Sequence, residues 1–200
     1  MLILYYCPQT RAERPRWMLE ELQVPYELKR VDISKGEHKQ VEYLKIHPHG
    51  VLPALKEDDR VILESAAICT YLADKFPEKN LAPILQARAA YYQWLFYAVA
   101  TLEPPIMQTH LHTHLLPEIK RNPKRIVQAK QGFNICASVL SNALVDRQFL
   151  LDEQFTTADL LIGANLIFAR YLNMLDDFPI LQAYVKHLTA RPAYRRMRKS

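Results

Sequence analysis

The sequence predicts an α/β layer at its amino end followed by an all-α helical bundle. Three observations carry that prediction. Strand-like and helix-like runs alternate over residues 1–77 in the order β-α-β-α-β-β-α. Strand signals then stop: a proline-bounded linker at 78–86 leads into long apolar helical patterns over 87–200. Half of the 200 residues are hydrophobic, which supplies enough apolar surface for a packed core in each part.

The elements follow in order. Leu2 to Tyr6 is a short apolar and aromatic run, a strand. Arg14 to Gln23 reads as a helix, with Met18 and Leu22 one turn apart, and Val24-Pro25 ends it. Tyr26 to Ile33 alternates in part and gives a second strand; His38 to Ile46 is a weak helix closed by the turn His47-Pro48-His49-Gly50. Val51–Leu55 and Val61–Leu63 flank the charged tip Glu57-Asp58-Asp59-Arg60, a hairpin. Ser65 to Phe76 is a helix, with Ile68, Leu72 and Phe76 spaced by four, and Pro77 stops it. Strands separated by a helix pair in parallel with a right-handed crossover, and the hairpin adds antiparallel strands. The result is a thioredoxin-like layer.

In the second half, Ala87 to Thr101 is a long apolar helix that Glu103-Pro104-Pro105 should kink or end. Pro123 to Val145 carries Ile126, Ala129, Phe133 and Ala137 on one face. Leu160 to Leu172 is apolar nearly all round and belongs at the centre of the bundle. Thr156 is its N-cap, with Asp159 as the reciprocal partner of a capping box. Phe178–Leu188 and Ala193–Met197 complete the chain.

Charge excludes some functions. The 26 basic and 21 acidic residues leave a formal net charge of +5. Arg191, Arg195, Arg196, Arg198 and Lys199 carry the whole excess, so residues 1–190 are balanced. A nucleic-acid domain spreads positive charge over a face or groove, whereas this pattern reads as a solvated helix end. The longest uncharged stretch, Ala89 to Leu102, falls short of the ~20 residues a membrane span requires. Met1–Tyr6 lacks a basic stretch and a long apolar run of the signal-peptide kind. Cys7, Cys69 and Cys136 are odd in number and far apart, with no disulfide framework or zinc spacing. Neither nucleic acid nor membrane is expected as a partner, and a reducing cytoplasm is the expected location. His110 and His114 share a helix face while His112 points elsewhere, with Glu118 alone nearby, so no metal is expected.

The chemistry is expected where the first strand meets the first helix. The loop Cys7-Pro8-Gln9-Thr10-Arg11-Ala12 lies there, and ligands gather at strand carboxyl ends and helix N-termini. Free N–H groups at such a place favour an anion such as a thiolate. Thr10 stands where a redox Cys-x-x-Cys pair has its second cysteine, which excludes a disulfide cycle within the motif.

With these motifs the chain resembles the glutathione S-transferase superfamily. The resemblance rests on Tyr5–Arg11, Leu19-Glu20-Glu21-Leu22 with Pro25-Tyr26, Gly36-Glu37-His38, His47–Leu55, Glu64–Ile68, Thr156–Asp159 and Arg191–Tyr194, nearly the whole chain. It looks most like bacterial members near the beta, nu, theta and delta classes. It implies that Pro53 is a cis-proline shaping the site and that Leu52, with Val51 before it, offers peptide groups to the cysteinyl part of glutathione. Glu64 and Ser65 hold the γ-glutamyl end, and His38 reaches the glycyl carboxylate. Thr10 donates its hydroxyl to the sulfur and favours the thiolate. Gln9 and Cys7 compete for that place, since the serine many relatives carry after the arginine is Ala12 here. Tyr97, Thr101, Met107 and His110 are the second-substrate candidates.

The implied activity is a glutathione transferase of detoxification, with glutathione as co-substrate and no metal. It activates the bound thiolate for attack on a small hydrophobic electrophile, or for peroxide or disulfide reduction. A homodimer is implied, with part of the aromatic band Tyr91, Tyr92, Trp94, Phe96 and Tyr97 at its interface. Two alternatives remain: a thiol transferase working through Cys7, and a non-catalytic interaction protein of the same fold, motivated by the basic C-terminal segment.

Overall fold

The structure, a computed structural model, describes residues 1–151 and 154–199. Ser200, the last residue of the expected helical domain, lies outside them. Two compact units form: Met1–Ala82 together with the stretch from Arg191, and Pro83–Ala190.

The first unit is built on a four-stranded sheet in the order β2-β1-β3-β4. Strand β1 (Leu2–Tyr6) leads into α1 (Glu13–Leu22), and β2 (Tyr26–Arg30) returns parallel to β1. A single turn (Glu37–Lys39) and the short α2 (Val41–Leu44) stand where the weak helix was expected. Strands β3 (Ala54–Glu57) and β4 (Arg60–Leu63) are antiparallel, and α3 (Ser65–Lys75) follows. Strand β3 begins later than Val51 because Pro53 has no N–H for a ladder; pairing with β1 starts at Ala54, opposite Tyr5. Leu4, Trp17, Met18, Leu55, Ile68 and Leu72 fill the core between sheet and helices.

The first unit also claims the end of the chain, which the sequence reading gave to the helical domain. Helix α9 (Pro192–Lys199) packs on α1. Ala193 and Met197 are buried, and Tyr194 meets Trp17 edge-on at 4.9 Å. The basic residues pair with acids of α1. Arg191 grips Glu21 through two N–H donors at 2.7 and 2.9 Å. Arg196 meets Glu20 at 2.9 Å, and Arg198 meets Glu13 at 3.2 Å. The local charge excess is thus largely answered within its own unit.

The second unit is all helical. Its first helix runs through α4 (Ala89–Phe96), a wide turn with i→i+5 bonding (Tyr97–Leu102), α5 (Glu103–His110) and a second wide turn (Leu111–Leu115). Pro104 and Pro105, expected to kink or end the helix, therefore do not end it. The wide turn just before them shifts the bonding register, and other groups serve the exposed carbonyls. Ala98 O accepts from the Glu103 N–H and from Asn165 Nδ2 at 2.7 Å, and Thr101 O accepts from Cys136 Sγ at 3.7 Å.

Helices α6 (Pro123–Ala143), α7 (Thr157–Tyr171) and α8 (Pro179–Thr189) complete the bundle. The capping box is present at α7. Thr156 N–H and Oγ1–H donate to Asp159 Oδ2 at 2.8 and 3.0 Å. Leu150 N–H and Tyr184 O–H donate to Asp159 Oδ1 at 2.8 and 2.7 Å. Burial pushes the Asp159 carboxyl up, and these four donors pull against it. Among the described residues no helix is long and apolar enough to cross a membrane.

Candidate active site

Sheet register brings three segments to one end of the first unit. Tyr5 opposite Ala54 sets the loop after β1 beside Pro53, and Ala54 opposite Leu63 sets Glu64 and Ser65 at the same end. The N-termini of α1 and α3 both open there; in α1 the Glu13 and Arg14 N–H groups already donate to the carbonyls of Thr10 and Arg11 at 3.1 and 3.2 Å.

The first segment is Cys7–Ala12. Thr10 Oγ1 donates to Cys7 O at 2.7 Å and accepts from Ala12 N–H at 3.2 Å, closing the turn that starts α1. Gln9 is exposed in a left-handed conformation (φ 59°), and its N–H donates to Glu13 Oε1 at 2.9 Å. Cys7 is a half-buried free thiol. The three candidates for the sulfur position thus sit in one loop and differ in state. Thr10 has its proton engaged, Gln9 faces solvent, and Cys7 is partly covered.

The second segment centres on the cis peptide Leu52–Pro53, both residues buried. Val51 is exposed, and its carbonyl accepts from Tyr43 O–H at 2.7 Å. Gly50 holds φ 57°, and a Cβ there would stand 2.5 Å from the His38 carbonyl oxygen, so glycine is required. That approach ties His38 to the same loop. His38 is half-buried, and among the described residues its buried Nδ1 has no hydrogen-bond partner. His47 is 2% exposed and stacked on Tyr43 at 6.3 Å. Burial lowers its pKa, helped by His49 and Lys39 and opposed by Glu64.

The third segment is the start of α3. Glu64 is exposed at φ 66° and ψ 116°, an unusual backbone state for a residue with a side chain. Ser65 is 5% exposed, and its Oγ accepts from Arg14 Nη1 at 3.1 Å. Arg14, itself 7% exposed, was not singled out from sequence. Arg14 stands one turn before Met18 and two before Leu22, and that spacing was the available signal.

The second-substrate candidates lie in the other unit and do not share one partner. Tyr97 is half-buried with its O–H on Cys136 O at 3.4 Å, and Thr101 is exposed with its carbonyl on Cys136 Sγ. Both engage α6. His110 instead packs edge-on against Phe168 of α7 at 4.9 Å and stacks on His114 at 5.3 Å. Met107 is half-buried. Among the described residues no three His, Cys, Asp or Glu side chains gather as metal ligands.

Known proteins share this sequence pattern and fold. Residues 1–74 match the family model "Glutathione S-transferase, N-terminal domain", and residues 102–192 match "Glutathione S-transferase, C-terminal domain". Glutathione S-transferase 1 of Dianthus caryophyllus is 31% identical over 88% of this chain and 83% of its own length. The disulfide-bond oxidoreductase YfcG of Escherichia coli is 28% identical over 96% of this chain and 92% of its own. The glutathione transferase URE2P6 of Phanerochaete chrysosporium, solved with oxidized glutathione, superposes with a TM-score of 0.87 at 29% identity. That match covers 99% of this chain and 94% of that one. These relatives come from a plant, a bacterium and a fungus, not from bacteria alone.

Proposed function

The chain belongs to the glutathione S-transferase family, and on that footing we propose that it binds glutathione at the sheet end of its first unit and activates the thiol. The thiolate then attacks a small hydrophobic electrophile or reduces a peroxide or disulfide. The observation that carries this reading is the convergence of the α3 N-terminus with the Leu52–Pro53 turn and the buried Ser65 hydroxyl. An anionic tripeptide needs several local donors, and this arrangement supplies them.

In this reading Leu52, flanked by Val51 and Pro53, offers its peptide groups to the cysteinyl part. Glu64 and Ser65 take the γ-glutamyl end, and the half-buried His38 takes the glycyl carboxylate. Thr10 serves the sulfur. Its hydroxyl must turn from the Cys7 carbonyl to do so. Giving up a neutral hydrogen bond costs about 1 kcal/mol, whereas a bond to a charged acceptor returns about 1.5–3 kcal/mol, so the exchange favours the thiolate. The difference lowers the thiol pKa from about 8.5 by roughly one unit.

One observation favours a second reading. Cys7 is a half-buried thiol in the same loop, and a relative bears the name disulfide-bond oxidoreductase. Its thiolate would attack oxidised glutathione, forming a mixed disulfide and releasing one glutathione thiolate. The non-catalytic alternative is weakened, since Arg191, Arg196 and Arg198, three of the five basic residues behind it, are paired to α1. Location in a reducing cytoplasm and a role in detoxification extend the proposal. A homodimer does too, supported by the exposed Tyr92 and Phe96 on α4.

Ultraviolet titration of the bound glutathione thiolate tests the reading. Thr10→Ala should raise the bound thiol pKa by about one unit and cut turnover near neutral pH about tenfold, and Thr10→Ser should restore both. An unchanged thiol pKa in Thr10→Ala sinks the Thr10 assignment. A Cys7→Ser variant that loses all turnover, with no Cys7–glutathione adduct possible, transfers the role to Cys7.

A further inference from the structure

We propose that Arg14 is a positioning residue for the γ-glutamyl carboxylate of glutathione, acting through the Ser65 hydroxyl. The proposal rests on the reading of Ser65 as a glutathione contact.

The geometry begins with the proton inventory of one hydroxyl. A serine Oγ has two lone pairs and a single proton, and the proton is free to rotate. The Arg14 guanidinium has only donors, so its bond to Ser65 Oγ occupies a lone pair and turns the serine proton away from it. Among the described residues no acceptor stands for that proton. Both partners are over nine-tenths buried, so water does not average the orientation. The hydroxyl that reaches a ligand is therefore already aimed before the ligand arrives, which is pre-organisation.

The placement of the charge points the same way. Helix N-termini carry partial positive charge and favour an anion. The Arg14 charge is felt by the Cys69 thiol one turn along α3, where it acts against the upward push of burial. The guanidinium thus lies under the first turn of α3, on the face that Ser65 and Cys69 share. The ligand chemistry this fits is a carboxylate at the Ser65 hydroxyl and N–H.

Binding of glutathione is measured by calorimetry for the wild type, Ser65→Ala, Arg14→Met, Arg14→Lys and the double variant Ser65→Ala with Arg14→Met. An analogue without the γ-glutamyl α-carboxylate, 4-aminobutyryl-cysteinylglycine, serves as the second ligand. Arg14→Met should weaken glutathione about tenfold, through KM rather than kcat, and leave the analogue's affinity unchanged. Arg14→Lys, which keeps the charge and one donor, should recover part of the loss. In the Ser65→Ala background most of the Arg14→Met effect should vanish.

Equal losses for glutathione and the analogue, or full additivity with Ser65→Ala, overturn the positioning role while leaving the Ser65 reading intact. If Ser65→Ala itself binds glutathione as the wild type does, the Ser65 reading falls and the proposal with it. Should Arg14→Met not fold, Arg14→Lys carries the test: it must weaken glutathione severalfold and spare the analogue.

Discussion

The pairing of α9 with α1 can be perturbed at one carboxylate. Glu21 accepts from Arg191 Nε at 2.7 Å, from Arg191 Nη2 at 2.9 Å and from Trp17 Nε1 at 2.9 Å. Its side chain is 8% exposed and that of Arg191 is 26% exposed, so the pair is screened much less than a surface pair. Glu21→Gln keeps the shape and the Oε1 acceptor but sets an amide NH2 against Arg191 Nη2. One charge-assisted bond is lost outright and the others weaken, which together costs about 2 kcal/mol. For a chain of this size that lowers Tm by about 4–8 °C. Glu13→Gln is the contrasting variant, since Arg198 is 53% exposed in its pair. It should cost less than about 0.5 kcal/mol and nothing at high salt. The assay combines thermal unfolding at low and high salt with hydrogen exchange of residues 191–199. If Glu21→Gln is no more costly than Glu13→Gln, or α9 exchange protection does not change, the reasoning is refuted.

Two further outcomes follow from buried polar groups. Asp159→Ala strands the N–H groups of Leu150 and Thr156 and the Tyr184 hydroxyl, and should cost about 3 kcal/mol or more in urea unfolding; a loss below 1 kcal/mol, roughly one ordinary hydrogen bond, would contradict the burial argument. His47 titrates with a folded pKa held below its unfolded value of about 6.5, chiefly by burial. The unfolded chain therefore binds the proton more readily. The contribution of His47 to stability is fully present above pH ~6.5 and is lost as pH falls through the folded pKa. His47→Gln should flatten the fall in Tm as pH drops below about 6.5, and an unchanged slope would dismiss His47 as its source.

What was legible in the sequence was local. The β1 run, the helix from Ser65 with its spacing of four, and the Thr156–Asp159 cap all write their signals within a few residues. The Leu52–Pro53 turn and Glu64-Ser65 were legible as motifs, and sheet register brings them to one end. The rest depended on partners far along the chain. Around Pro104 and Pro105, the Thr101 carbonyl finds Cys136, 35 residues away, and the Ala98 carbonyl finds Asn165, 67 residues away. Arg14 finds Ser65 across 51 residues, and no periodicity of α1 announces that bond. The basic end looked solvated because its acids lie on α1, and charge counts do not show which distant segments meet. The Thr10 hydroxyl was read as a donor to sulfur, but the backbone turn it closes belongs to loop conformation and not to residue type.

The return of the last helix to α1 bears on how the molecule is made. Arg191 and Glu21 are separated by 170 positions. In connectivity, residues 83–190 are an insertion into the first unit. At equilibrium such a span matters little, since each doubling of a loop costs only about 0.6 kcal/mol. During synthesis it sets an order. Residues 1–82 leave the ribosome with the acidic side of α1 and the Trp17 ring still uncovered, because the segment that covers them has not been translated. The helical unit carries its own core and can fold first. Completion of the unit that is begun first thus waits for residues 191–199.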